Sequence, residues 1–374
     1  MSTLQTPFRY DYVGSFLRPE KLKQARKSYE AGSISKQELT AVEDECIREL
    51  VKKQKELGYH VITDGEFRRA TWHLDFMWGF DGVGHKPTEF GLPFQHEQAM
   101  LDDTYLTGKI SLKGEHPFIS HYRFVKALED ENTVAKQTIP APAQFLVQMI
   151  TPFSIETTRK YYSTDDELIG DLVIAYKEVI RQLYDAGCRN LQFDDCTWGM
   201  LLDSSKFQLY FGEDGEGPEE IKEKYLKANN HVLEGIPEDM VVNTHVCRGN
   251  YHSDYANTGA YDSVSGYLFS KEKVNAFYLE YDDERSGGFS PLSQVSGNKK
   301  IVLGLITTKS PVLEDREKVI ARIHEAAQFV PLDRLCLSPQ CGFASCEIGN
   351  KLSEDEQWAK LRLVKEIAEE VWGK

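Results

Sequence analysis

Long apolar runs are missing from this sequence. No stretch of about 18 or more consecutive apolar residues occurs, and a helix needs roughly that many to span a bilayer. Also missing is a basic segment followed by an apolar one in the opening MSTLQTPFRYDYVGSF. No secretory leader is therefore expected, and the expected compartment is the cytoplasm. Positive charge is in short supply. The chain has 44 Lys and Arg against 59 Asp and Glu, a net charge of −15. Such a surface repels nucleic acid and anionic lipid, so neither is an expected partner. A small anionic ligand in a local basic pocket stays open. The chain has seven scattered cysteines, not an even set. An odd count in a reducing compartment argues against a disulfide framework and leaves thiols available as ligands. No G-x-G-x-x-G follows a predicted strand and no P-loop occurs, which removes the usual dinucleotide and nucleotide cradles. Tandem repeats, low-complexity tracts and long linkers are absent too.

What is there is an alternation of strand and helix patterns over 374 residues. Strands are predicted at 11–16, 60–67, 133–140, 189–195, 240–247, 274–281, 299–306 and 333–340. Helices are predicted at 19–31, 35–58, 165–187, 217–234, 313–329 and 353–372, two of them stopping at Gly58 and Gly187. Repeated βα units imply a parallel sheet, and about eight of them in this length favour a closed (β/α)8 TIM barrel over an open sheet. The expected organisation is one barrel domain over 1–374, interrupted at 78–121 by an inserted hairpin and loop. That insertion, with Trp78, Phe80, Phe90 and Phe94, can cover the barrel or contact another subunit. A homo-oligomer is therefore left open.

Active sites of parallel barrels lie at the C-terminal ends of the strands. The predicted strand ends carry Ser15, Asp64 and Glu66, Asp194 and Asp195, His245 and Cys247, Glu280, Lys309 and Cys341. In MVVNTHVC, His245 and Cys247 are two apart and share one face of a strand. Imidazole and thiolate together suit zinc, and Glu280 and Cys341 supply further ligand types. The same residues also read as ordinary core side chains. Asp194 shares a strand parity with Gln192, and Asp195 with Phe193. One carboxylate should face the barrel interior and the other pack outward against a helix end, because each needs a partner when buried. A substrate ammonium would satisfy the inward one. Cys336 and Cys346 read as bystanders. The Gly-, Ser- and Asn-containing stretch 251–268 is a candidate lid, with an ordinary surface loop as the alternative.

Taken in order, VGSFLRP, ITDGEFRR, LQFDD, THVC, YLE and SPQCG resemble the catalytic C-terminal barrel of cobalamin-independent methionine synthase, and in particular the short single-barrel relatives of that enzyme. The resemblance spans roughly residues 10–370. It implies zinc as the cofactor, held by His245, Cys247, Glu280 and Cys341. It implies Ser15 as the partner of the homocysteine carboxylate, and Glu66 and Asp194 as partners of its amino group, with Asp194 counted among the catalytic residues. Departures fall on the methyl-donor side. The family's His-Ser-Pro reads Lys309-Ser310-Pro311, which makes Lys309 the catalytic candidate there. The family's Asp-Glu-Pro reads Asp194-Asp195-Cys196, and a tryptophan associated with folate stacking is not evident in TIPAPAQF (138–145).

The expected activity is zinc-dependent methyl transfer to homocysteine, giving methionine, from a 5-methyltetrahydrofolate with one or several glutamates. Two alternatives stand beside it. One is a zinc-thiol alkyltransferase with another thiol acceptor, or with a corrinoid or other methyl donor. The other is a zinc- or amino-acid-binding barrel without catalysis.

Overall fold

The computed structural model describes residues 4–89, 91–212 and 215–373. Six parallel strands lie side by side in the order Leu335–Pro339, Lys300–Ile306, Ala276–Glu280, Val241–Val246, Asn190–Asp195 and Gln137–Pro140. Their residues are buried almost without exception. Near-continuous apolar runs of this kind suit strands covered on both faces.

Two irregular staves close the ring. Val61–Ile62 pairs in parallel with Val134–Ala135, immediately ahead of Gln137–Pro140. The segment 9–16 fills the last gap. On one side Asp11 N donates to Leu337 O at 3.0 Å and Leu337 N donates to Arg9 O at 2.9 Å. On the other, Phe16 N donates to Gly65 O at 3.1 Å and Thr63 Oγ1 to Gly14 O at 2.8 Å. The expected strand at 11–16 is thus an irregular stave with one bridge, Tyr10 to Leu337. Asp11 accounts for part of the irregularity, because its carboxylate accepts from Phe8 N and Tyr12 N, and the segment bends at Gly14, whose φ is +150°.

The long helices have local causes. Ser35 and Glu38 form a capping box at the start of Lys36–Glu56, and Ser353 and Glu356 do the same for Glu354–Trp372. Thr164 caps Asp165–Asp185. Three helices of nine or ten residues lie where no helix is predicted, besides shorter ones. Pro117–Lys126 occupies the end of the 78–121 stretch, and both it and Pro142–Ile150 begin on the proline at the first helical position. Asp262–Lys271 occupies the second part of the candidate lid. Its sequence DSVSGYLFSK is a poor helix former, and burial of Val264, Leu268 and Phe269 overrides that.

The insertion does contain a hairpin, Asp81–Lys86 against Asp103–Ser111, with a smaller one, Leu92–Pro93 against Gln98–Ala99, at its tip. Trp78 anchors its base by donating to Thr104 Oγ1 at 3.0 Å and stacking on His85. The tip docks on the loop that follows Cys247. Gln95 N donates to Tyr255 O at 3.0 Å, His96 N donates to Asp254 Oδ2 at 2.7 Å, and Phe94 lies against Tyr251. Phe90 lies outside the described residues.

Candidate metal centre and substrate cavity

His245 is on the strand Val241–Val246, and Cys247 follows it with its N–H still donating to Asp195 O at 2.8 Å. The extended geometry persists through both, so both side chains emerge on one face. Glu280 ends its strand, and Cys341 lies just beyond Leu335–Pro339. The four ligand atoms are all within 4.8 Å of one another, and all four residues are buried. His245 Nδ1 lies 3.3 Å from Tyr278 O, a contact that assigns the proton to Nδ1 and leaves Nε2 as an acceptor with no partner. Glu280 Oε1 accepts from Arg248 N at 2.8 Å, while Oε2 is buried without a hydrogen bond.

Orphaned acceptors in a closed site are costly unless a cation fills the space between them. The sulfurs agree with that reading. Cys247 Sγ and Cys341 Sγ are 3.8 Å apart, and two thiolates about 2.3 Å from a shared tetrahedral centre are about 3.8 Å apart. With protein groups alone, the Cys247 thiol is pushed well up, first by its contact with Cys196 and then by burial. The Cys341 thiol is pushed up by its contact with Cys247 and by burial. A bound dication reverses that preference. The donor set therefore fits zinc.

Beside this centre the barrel mouth opens into a cavity of about 730 Å³, lined by Ser15, Glu66 and Asp194 as well as by His245, Cys247 and Cys341. Ser15 Oγ accepts from Ala344 N at 3.3 Å. Glu66 sits on a turn with φ +61°, a left-handed conformation that a non-glycine residue adopts at a cost of about 1–3 kcal/mol. Asp64 Oδ1 holds the turn by accepting from Glu66 N at 2.8 Å. Glu66 Oε1 accepts from Thr138 Oγ1 at 3.1 Å and lies 3.3 Å from Arg69, whereas its Oε2 is buried and unpartnered. Asp194 accepts from Gln192 Nε2 at 2.7 Å. Burial pushes both carboxyls up to about 7. Burial outweighs the nearby positive charges, Arg69 and Arg18 for Glu66 and Arg69 and Lys136 for Asp194. Asp195 points the other way, accepting from Thr197 N and Asn229 Nδ2 outside the barrel. The parity argument is borne out in both directions.

Lys309 stands behind Glu280 and is not among the described residues lining the cavity. Its Nζ is 3.2 Å from Asp282 Oδ2 and 3.9 Å from Glu280 Oε2. Burial works against its charge, but Asp282 and Glu280 outweigh that and raise its pKa overall. At this position it is a charged neighbour of Glu280 and Asp282.

Among the lining residues that the sequence reading did not single out as site candidates are Trp72, His73 and Cys196. Trp72 and His73 stack on each other at the cavity wall. Burial lowers the His73 imidazole to about 3, and its Nδ1 has no partner. Both follow the strand end at 61–62, where the positional rule extended far enough would have flagged them. Cys196 also lines the cavity, half-buried, with its thiol against Cys247. Of the expected bystanders, Cys336 lies in the core and Cys346 at the cavity edge, where burial pushes its thiol up to about 12.

The cavity and the quartet can be set against known proteins. Residues 150–370 match the family model described as the catalytic domain of cobalamin-independent synthase. The chain belongs to the cobalamin-independent synthase family. It is similar to the Bacillus subtilis protein YxjH, with 41% identity covering 98% of this chain and 96% of YxjH. It is also similar to a Listeria monocytogenes crystal structure, described provisionally as a vitamin-B12-independent methionine synthase. That similarity has a TM-score of 0.77 and 36% identity, covering 99% of this chain and 100% of the other. A B12-independent methionine synthase from Shewanella sp. W3-18-1, solved with selenomethionine, shares the fold at a TM-score of 0.70 and 19% identity, covering 97% of each chain. The synthase family transfers methyl groups to homocysteine. This chain is a single-barrel relative of its methionine synthases, and no described helix is long and apolar enough to cross a membrane.

Proposed function

We propose that this protein is a zinc-dependent methyltransferase that converts homocysteine to methionine, with a 5-methyltetrahydrofolate as donor, in the cytoplasm. The observation that carries the reading is the quartet His245, Cys247, Glu280 and Cys341, whose ligand atoms lie within 4.8 Å of one another, with His245 Nε2 and Glu280 Oε2 buried and without a hydrogen bond. These four residues would hold the ion. Zinc supplies Lewis acidity that makes a thiol in its coordination sphere a nucleophile at neutral pH.

The chain's own residues supply position. Ionised Glu66 and Asp194 take the acceptor's ammonium, and Ser15 with the Ala344 backbone beside it takes the carboxylate. The acceptor's thiol then points toward Cys247 and Cys341. The methyl carrier enters from the side roofed by the hairpin, between Trp72 and Phe94, which line the cavity. Such positioning is worth up to roughly 7–11 kcal/mol of barrier. In the transfer a carbon–sulfur bond forms, the carrier's nitrogen–methyl bond breaks, the proton given up by the acceptor thiol ends on that nitrogen by way of solvent, and methionine and tetrahydrofolate leave. Lys309, with Asp282, positions Glu280.

The test is metal content with an absorption-edge spectrum before and after homocysteine, followed by turnover with methyltetrahydrofolate scored as methionine. One zinc per chain, a new sulfur neighbour on adding homocysteine, and methionine formation are the expected results. A metal edge indifferent to homocysteine overturns the acceptor assignment.

A further inference from the structure

Arg18 is buried where three loops of the acceptor site meet, and its four hydrogen bonds to described residues all go to backbone carbonyls. Nη1 donates to Ala344 O and, at 3.2 Å, to Phe16 O. Nη2 donates to Glu66 O at 2.8 Å and to Arg69 O at 3.2 Å. These carbonyls come from different parts of the ring. Phe16 follows Ser15 on the 9–16 stave, Glu66 and Arg69 follow Val61–Ile62, and Ala344 follows Leu335–Pro339. A planar fork of N–H donors suits carbonyls that arrive from several directions. The bonded residues also shape the site. Glu66 is in its left-handed turn, and the bond to its carbonyl fixes the peptide that follows. Ala344 N donates to Ser15 Oγ at 3.3 Å, and Phe343 N donates to Ser15 O at 3.0 Å. A buried guanidinium bonded to carbonyls is costly, and burial lowers its pKa to about 10. A neutral donor would serve packing at less cost, but only a cation adds positive charge on the Glu66 side of the cavity.

We propose that Arg18 is a positioning residue for an amino-acid acceptor: its fork locks the Ser15, Glu66 and Ala344 loops in the arrangement that receives a carboxylate and an ammonium together. This rests on the acceptor reading above. The charge of Arg18 has a second effect. The charged groups acting on the Glu66 carboxyl are Arg69, Asp194, Arg18 and Asp64. The two cations favour its ionised form and the two acids oppose it. Around Arg18 itself stand Arg26, Glu347 and the Cys346 thiol, and Arg26 is 2.7 Å from Glu347. Without Arg18, Arg69 is the one cation of this set left to act on Glu66, and the carboxyl ionises at higher pH.

The experiment measures homocysteine Kd by calorimetry from about pH 6 to pH 8.5, on the zinc-loaded full chain without a methyl donor. Wild type, Arg18→Lys and Arg18→Gln are compared, with zinc content and Tm alongside. Arg18→Lys keeps the charge and loses the fork, whereas Arg18→Gln loses the charge and keeps two N–H donors. The expected Kd at neutral pH is raised about tenfold in Arg18→Lys and about 10–100-fold in Arg18→Gln, with zinc content unchanged. Binding should tighten around pH 7 in wild type, where Glu66 titrates. That midpoint should hold in Arg18→Lys and rise by about one unit in Arg18→Gln. A role confined to stability lowers Tm and leaves the homocysteine Kd and its midpoint at wild-type values; that result in either folded variant overturns the proposal. Should Arg18→Gln fail to fold, Arg18→Lys decides: a wild-type Kd overturns the proposal, and a weakened Kd with an unmoved midpoint supports it. Wild-type protein that binds no homocysteine overturns the acceptor reading itself, a result distinct from any difference between variants.

Discussion

Cys247 Sγ and Cys341 Sγ lie 3.8 Å apart although 94 residues separate them along the chain. They leave the barrel from strands that are not neighbours, since Ala276–Glu280 and Lys300–Ile306 lie between. Closure of the sheet is what brings them together across its mouth. Each should therefore be needed for the ion. Cys247→Ala and Cys341→Ala should each retain less than about a tenth of the wild-type zinc after dialysis against a weak chelator, because loss of one ligand breaks a closed donor set. Circular dichroism would establish that the variants fold. Full zinc occupancy in either folded variant would contradict the assignment.

The raised carboxyls give a pH dependence with a definite sign. Glu66 and Asp194 titrate at about 7 in the fold, against about 4 in an unfolded chain. Between those values the folded state holds more protons, so stability falls as pH rises through that window and stays lower above it. Asp194→Asn should flatten the fall, giving a variant that gains Tm relative to wild type as pH goes from 5 to 8. Ammonium capture needs the ionised forms, so homocysteine Kd should tighten over the same range. A Tm difference that is the same at pH 5 and pH 8 would count against the assignment.

Gly342 shapes the acceptor site by what it lacks. A Cβ there would stand 1.8 Å from Ser15 Oγ and 3.0 Å from Ser15 Cβ. Gly342→Ala must displace Ser15 from its place beside Ala344 N. The expected outcome is a homocysteine KM raised about 10–100-fold, the scale of one lost hydrogen bond to a charged group, with zinc content unchanged. Steady-state kinetics and metal analysis together check it; an unaltered KM would remove Ser15 from the acceptor site.

The roof is held by a small number of contacts. Asp254 accepts from His96 N, and the Phe94 ring lies 5.4 Å from that of Tyr251. Asp254→Ala and Phe94→Ala should each loosen the tip by about 1–2 kcal/mol. Limited proteolysis within 87–102 should then quicken about tenfold, and the donor KM should rise while homocysteine binding holds. Unchanged cleavage would mean that the hairpin is held elsewhere.

Local rules carried much of this protein in the sequence itself. Period-two geometry put His245 and Cys247 on one face and Asp194 and Asp195 on opposite faces, because those relationships span only one or two residues; which of the two acids faces inward was decided by the closed sheet. Capping boxes at Ser35 and Ser353 and stop signals at Gly58 and Gly187 are equally local. The order of βα units was enough for a closed barrel. Tertiary structure decided the rest. The stave at 11–16 is irregular because the Asp11 side chain competes for backbone donors. Asp262–Lys271 is helical because burial overrules its composition. Lys309 stands behind Glu280, Cys196 against Cys247, and the hairpin over the cavity, because each placement depends on how distant strands and loops meet. Residues close in sequence share a backbone conformation that their own chemistry dictates; residues far apart meet only after the ring has closed, and no local preference records that meeting.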